Sequence, residues 1–195
     1  MNPRALTIVA LLAALLITSA AHSRALAPAE QRASLMTLLE GHHFRADRKI
    51  FDRLGPPKEM VDHLVNFATD PKLTPKIRKR AIGALRVYPG TRTEKFLTSL
   101  LYDPTLQTKA GVLMRREAML ALAVAFRGRA ITALSNHRDA EDPQIREGCA
   151  RALGATRSPD ALPILDAWLP HEPELFVRLA VDKAQEYIRD LHRSR

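Results

Sequence analysis

Asp142-Pro143-Gln144-Ile145-Arg146, running on through Ala150-Arg151-Ala152-Leu153-Gly154 to Ser158-Pro159-Asp160-Ala161-Leu162-Pro163-Ile164-Leu165, is the stretch that decides the fold. An acid before a proline suits a helix start. The carboxylate accepts a bond from an orphan N–H, and the fixed φ and missing donor of proline cost nothing in the first turn. From Ile145, small or apolar residues stand four and seven places further on (Cys149, Ala152), which is one face of a 3.6-residue helix. Leu153-Gly154 reads as a turn. Ser158-Pro159 then opens a second helix, with Ala161, Leu162, Ile164, Leu165, Trp168 and Leu169 as its apolar positions.

Three other segments align with the first of these helices without gaps, beginning at Ile77-Arg78, Met114-Arg115 and Val177-Arg178. Each has a small or apolar residue four places after its first residue and Ala seven places after. The arginines Arg78, Arg115, Arg146 and Arg178 are 37, 31 and 32 residues apart. A period of that length is the mark of stacked helical repeats. Second helices are expected over 92–101, 128–134 and 159–169, separated from the first by turns at Pro89-Gly90, Arg127-Gly128 and Gly154. Asp70-Pro71, Asp103-Pro104 and Asp142-Pro143 are each expected to cap a helix that the proline opens. The final helix, 174–192, takes Leu175, Val177, Leu179, Val181, Ala184, Tyr187, Ile188 and Leu191 as its apolar set, with a charged outer side suited to a cap. The fold class is therefore all-α, an α-solenoid of stacked antiparallel helix pairs. A weaker early copy (Met60, Val61, Leu64, Val65, Phe67) brings the count to four or five.

The sequence of acid-Pro, aliphatic-Arg, an Ala-rich helix, a Leu-Gly turn and a Pro-opened second helix resembles the HEAT repeat of the bacterial HEAT-like class, also found in phycobilin lyases. The copy at 142–165 departs from the pattern in Asp160 for Glu and in Gly148-Cys149 for an Ala pair. Residues 72–75 and 105–111 lengthen the links in earlier copies, and Glu172-Pro173 replaces Asp-Pro in the last. The resemblance covers roughly 56–191. It implies that Arg78, Arg115, Arg146 and Arg178 are structural, each forming a ladder between repeats with the acidic residue that precedes it. It also implies a partner surface on the second helices, with Lys95, Thr98 and Ser99, then Arg129, Thr132 and Asn136, then Asp160, Asp166 and Trp168 as candidates.

Residues 1–23 read as a secretory signal peptide. Arg4 is the positive start, 5–17 an apolar run shorter than a membrane span, and Thr18-Ser19-Ala20-Ala21 a small-residue cleavage region. Residues 24–55 are expected to be an N-terminal helical segment or cap, with a helix from Pro28 to Glu40 ended by Gly41, and 56–195 the repeat array. No second run of spanning length is expected in the mature chain, which is placed in the periplasm or outside the cell. The formal charge is +9, with no run of five like charges of the kind that marks a nucleic-acid tail.

Chemistry-bearing motifs are sparse. The lone Cys149 falls on the apolar face of its helix and reads as a small buried hydrophobe. His42-His43 diverge by about 100° on a helix and read as solvated. His137, His171 and His192 lie near helix ends, where imidazolium is favoured, and read as caps or surface residues. There is no phosphate loop, nucleophile elbow or zinc-protease motif, and the acid pairs Glu40/Asp47 and Glu141/Asp142 are discounted as chance. No catalytic residue, metal or cofactor is therefore expected. The leading expectation is a non-enzymatic scaffold in a bacterial cell envelope with a protein partner. The alternatives are a phycobilin-lyase-like chromophore or ligand handler, and a basic nucleic-acid-binding HEAT protein. Export argues against nucleic acid.

Overall fold

The computed structural model describes residues 26–193, and all their regular structure is helical. The expected signal segment 1–23 lies outside the described residues. Ten α-helices follow in order: α1 (Pro28–Glu40), α2 (Arg48–Asp52), α3 (Pro57–Thr69), α4 (Pro75–Ala84), α5 (Thr91–Leu101), α6 (Lys109–Phe126), α7 (Ile131–Ser135), α8 (Pro143–Ala155), α9 (Leu162–Trp168) and α10 (Leu175–Arg193). Short 3-10 turns flank α4, α7 and α9.

Four of these carry the aligned segments, and they form one layer: α4 lies beside α6, α6 beside α8, α8 beside α10. The second layer is made of α3, α5, α7 and α9. Each packs against the next first helix along the chain, α5 more closely against α6 than against α4. The expected pairing across the Gly turn is thus the looser one. The two layers are unequal. At 1.5 Å per residue the 18 residues of α6 span about 27 Å, whereas α7 has five residues and α9 seven.

Helix starts are set by local caps. Asp142 accepts from Gln144 N at 2.8 Å, and Pro143 opens α8 as expected. At Asp70 and Asp103 the outcome differs. Their carboxylates accept from Lys72 N and Thr105 N two residues on, closing turns, and the helices open later under Thr74 and Thr108. The longer links supply a second cap each time, and Pro75 reproduces the cap-then-proline order one turn downstream.

One continuous core threads both layers and includes the N-terminal segment. Leu35 and Leu39 of α1 are fully buried against α3 and α4, and the guanidinium of Arg80 donates to the carbonyls of Leu39 and Gly41 at the end of α1. The run Lys109–Ser135 is long and apolar enough to cross a membrane by length and composition, contrary to the expectation of no such run. Its central helix α6 is flanked by α4, α5 and α8, so it is apolar on several sides because it is packed on several sides.

Candidate functional site

Three of the four repeat arginines cap the end of the preceding helix or link. Arg78 Nε donates to Ala68 O at 3.0 Å and Arg115 Nη2 to Asp103 O at 2.8 Å. Arg146 Nη1 donates to Ala140 O at 2.8 Å and to Glu141 O at 3.0 Å. Only Arg146 also reaches an acid of the next break. Its Nε and Nη2 fork onto Glu172 at 2.9 and 2.8 Å. Arg178 is exposed, and its guanidinium makes no hydrogen bond or ion pair among the described residues. Among the described residues one of the four arginines makes an ion pair, forward to Glu172 and not to the acid before it, and carbonyl capping is the commoner role.

Glu172 is the acid of that pair. Its side chain is 1% exposed, and it also accepts from Trp168 Nε1 at 3.1 Å and from Glu174 N at 3.1 Å. Burial alone would raise its pKa. The hydrogen bonds from Arg146, Glu174 N and Trp168, with the Arg146 charge, outweigh burial and hold it below the usual carboxylate range.

This arrangement removes Trp168 from the partner surface: it is 6% exposed, turned inward to bond Glu172. Four of the other candidates are scattered. Arg129 pairs with Glu94 at 2.6 Å, Asn136 Nδ2 donates to Tyr102 Oη at 3.1 Å, and Asp166 accepts from Gln185 and Arg189 at 2.7 and 2.6 Å. Lys95 is exposed over a shallow hollow lined by Val65, Thr91, Arg92, Phe96 and Ser99. On the second-helix layer, short and interrupted by 3-10 turns, Arg129, Asn136 and Asp166 are already engaged.

Further apolar surface lies on the other layer. Between α8 and α10 runs a groove of about 490 Å³, floored by Gly154, Ala155, Ala180 and Ala184 and rimmed by Phe176, Leu179 and Tyr187. Phe176 is 45% and Leu179 50% exposed. A second groove of about 440 Å³ crosses α4, α6 and α8 between Leu113 and Leu120, both exposed. Glycines let these helices approach closely. A Cβ on Gly148 would stand 2.8 Å from Arg116 Cγ, and one on Gly154 2.9 Å from Ala184 Cβ. Glu147 bridges Arg116 and Arg151, the latter at 3.1 Å. Burial pushes the Glu117 carboxyl up, against the pull of Lys79 and Arg86.

The sequence did carry a signal for this surface. Leu113 and Leu120 fall one position off the face set by Met114, Ala118 and Ala121, and Phe176 falls one off the face of Val177, Val181 and Ala184. Leu175, Leu179 and Tyr187, read as part of the buried set of the last helix, are exposed.

His137 is a correction of the same kind: it is 9% exposed, its ring centroid 5.0 Å from that of Tyr102. Burial, and then the charge of Arg115, lower its pKa. His42 and His43 are exposed in a turn, and no group of three His, Cys, Asp or Glu able to hold a metal occurs among the described residues. Cys149 is buried and its thiol donates to Leu134 O at 3.1 Å. Burial pushes its pKa up to about 12.

Residues 105–184 match the family model of HEAT repeats. No curated protein sequence matches the chain. Among solved structures, human deoxyhypusine hydroxylase in complex with glycerol superposes with a TM-score of 0.53 at 28% identity. The match covers 67% of this chain and 43% of that one. An engineered protein superposes at 0.45 with 18% identity, over 82% of this chain and 79% of its own. This chain spans less than half the length of the hydroxylase. The arginine period, the layered helices and the family match agree: residues 105–184 carry HEAT repeats, and the described helices stack as an α-solenoid.

Proposed function

We propose that this chain is an exported, non-enzymatic scaffold of the cell envelope that docks a protein partner on its layer of first helices. The observation that carries this reading is the groove between α8 and α10, where Phe176, Leu179 and Tyr187 stand in water around a floor of Gly and Ala. Contiguous exposed apolar side chains rimmed by charge mark interaction surfaces. The repeat fold supports the same reading, since stacked helices leave broad faces that are chemically tolerant. Export rests on the apolar run 5–17 after Arg4.

The test is photo-crosslinking in the native host followed by fractionation, with the crosslinker placed at Leu179, Tyr187 or Lys95. The expected result is a processed chain outside the cytoplasm that crosslinks to one protein from positions 179 and 187 and not from 95. An unprocessed cytosolic chain would overturn the address. Crosslinks from 95 alone would move the surface back to the second helices.

A further inference from the structure

Apolar and basic side chains share the outer face of α8 and α10. From Phe176 to Tyr187 this face runs about 16 Å, three helical turns at 1.5 Å per residue. Across α6 the exposed Leu113 and Leu120 continue the apolar character. Among the residues lining the two grooves, the acids are Glu117 and Glu147 and the bases are Lys79, Arg116, Arg151 and Lys183. Both acids are spoken for. Glu147 is shared between Arg116 and Arg151, and Glu117 is half-buried under the influence of the Lys79 and Arg86 charges. Lys183 is exposed with no ion pair among the described residues, and Arg157 lies 5.9 Å from the Tyr187 ring at the far end. The groove lining is therefore apolar along its middle and carries more base than acid at its edges, while Asp182 and Glu186 stand exposed on α10 beyond it.

We propose that this face docks an acidic amphipathic helix of the partner protein, about three turns long. Its apolar i, i+3, i+4 and i+7 side chains seat between α8 and α10, and its carboxylates stand against Lys183, Arg151 and Arg157. The proposal rests on the scaffold reading above and names the chemistry of its partner. A helix fits better than an extended strand because the groove walls are helices, whose backbone groups are bonded internally and offer no ladder to a strand. The floor of Gly154, Ala155, Ala180 and Ala184 leaves room between the rims for Leu-sized side chains. Carboxylates on the incoming helix complement the net positive edge and set its orientation.

The probe is a labelled helical peptide with Leu at i, i+3, i+4 and i+7 and Glu on its flanks, compared with the same peptide carrying Lys and with vesicles of phosphatidylserine. The purified protein is expected to bind the Glu peptide saturably, less tightly as salt rises, and the Lys peptide at least about tenfold more weakly. Lys183→Glu is expected to weaken the Glu peptide about tenfold, and Leu179→Asp to abolish binding. Lys95→Glu on the opposite layer leaves it unchanged. Circular dichroism verifies that each variant stays helical. Equal binding of both peptides, an unaffected Lys183→Glu variant, or binding to vesicles alone would overturn the acidic-helix proposal. So would self-association in sedimentation that Leu179→Asp disrupts, which would assign the groove to a second copy. If crosslinks from positions 179 and 187 still reach one protein while the Glu peptide fails, the scaffold reading stands and the acidic-helix proposal alone falls.

Discussion

Arg146 ties the last two repeats together at the scale of one side chain. It closes two carbonyls of the α7–α8 link and both oxygens of Glu172, which Trp168 and Glu174 N also hold. Removing one member of a buried pair strands the other in a site without water, at a cost of about 3–5 kcal/mol. Arg146→Ala is expected to lower the unfolding free energy by about 3 kcal/mol in urea at neutral pH. Arg146→Lys restores only part of it, since an ammonium cannot fork. The folded pKa of Glu172 is depressed, so its contribution is present above the unfolded carboxylate value and is lost as pH falls through the folded one. The gap between wild type and Arg146→Ala should therefore narrow in acid, and a gap independent of pH would contradict this account. His137 has the opposite profile. Its folded pKa lies below 6.5, so its site is neutral in both states above that pH, and stability declines as pH falls from 6.5 and the unfolded state takes up the proton. His137→Phe should abolish that slope in urea titrations above the carboxylate range. Arg146 was legible in the sequence through the resemblance to HEAT repeats, and Cys149 because helical spacing put it on an apolar face. Trp168 and His137 were not. What they pack against (Glu172 across a turn, Tyr102 just past the end of α5) is set by packing between elements and has no periodic trace.

At the scale of elements, the helices were read from periodicity and their ends from caps, with uneven results. Gly41 ends α1 as expected, and Asp142-Pro143 opens α8. The same dipeptide at 70 and 103 closes a turn instead, because a second cap in Thr74 or Thr108 follows within the longer link. Arg127, which ends α6, sits at φ 55 and ψ −130, where a side chain is strained by about 1–3 kcal/mol and glycine is not. Arg127→Gly gives back about 0.5–1 kcal/mol through the entropy of the unfolded chain. A net stabilisation of about 1 kcal/mol is expected, read as a higher urea midpoint at unchanged m. A lower midpoint would show that the Arg127 side chain makes a contribution larger than its backbone strain. On α10 the apolar residues were assigned to a single buried face. The helix in fact turns Val177, Val181, Ala184 and Ile188 inward and leaves Leu175, Phe176, Leu179 and Tyr187 in water. Apolar residues over more than half a helix circumference do not say which part of it a neighbour covers.

At the scale of the whole molecule, stacked repeats are stabilised by their neighbours, so elements with a neighbour on each side should open last. In hydrogen exchange the amides of α6 and α8 are expected to be slowest. Those of α2 and of the last turn of α10 should be fastest. Uniform protection would mean that the array opens as one cooperative unit. The repeat period, the all-helical class and the inward faces of α4, α6 and α8 were determined by the sequence alone, because they follow from local spacing, and every repeat writes the same spacing again. Which layer stays open to a partner was decided only by the tertiary structure. That depends on how long each second helix grows, which polar groups its neighbours consume, and how closely Gly148 and Gly154 let α8 approach α6 and α10. These are relations between residues about 30 positions apart, and burial is a property of the assembled layers, not of any one helix.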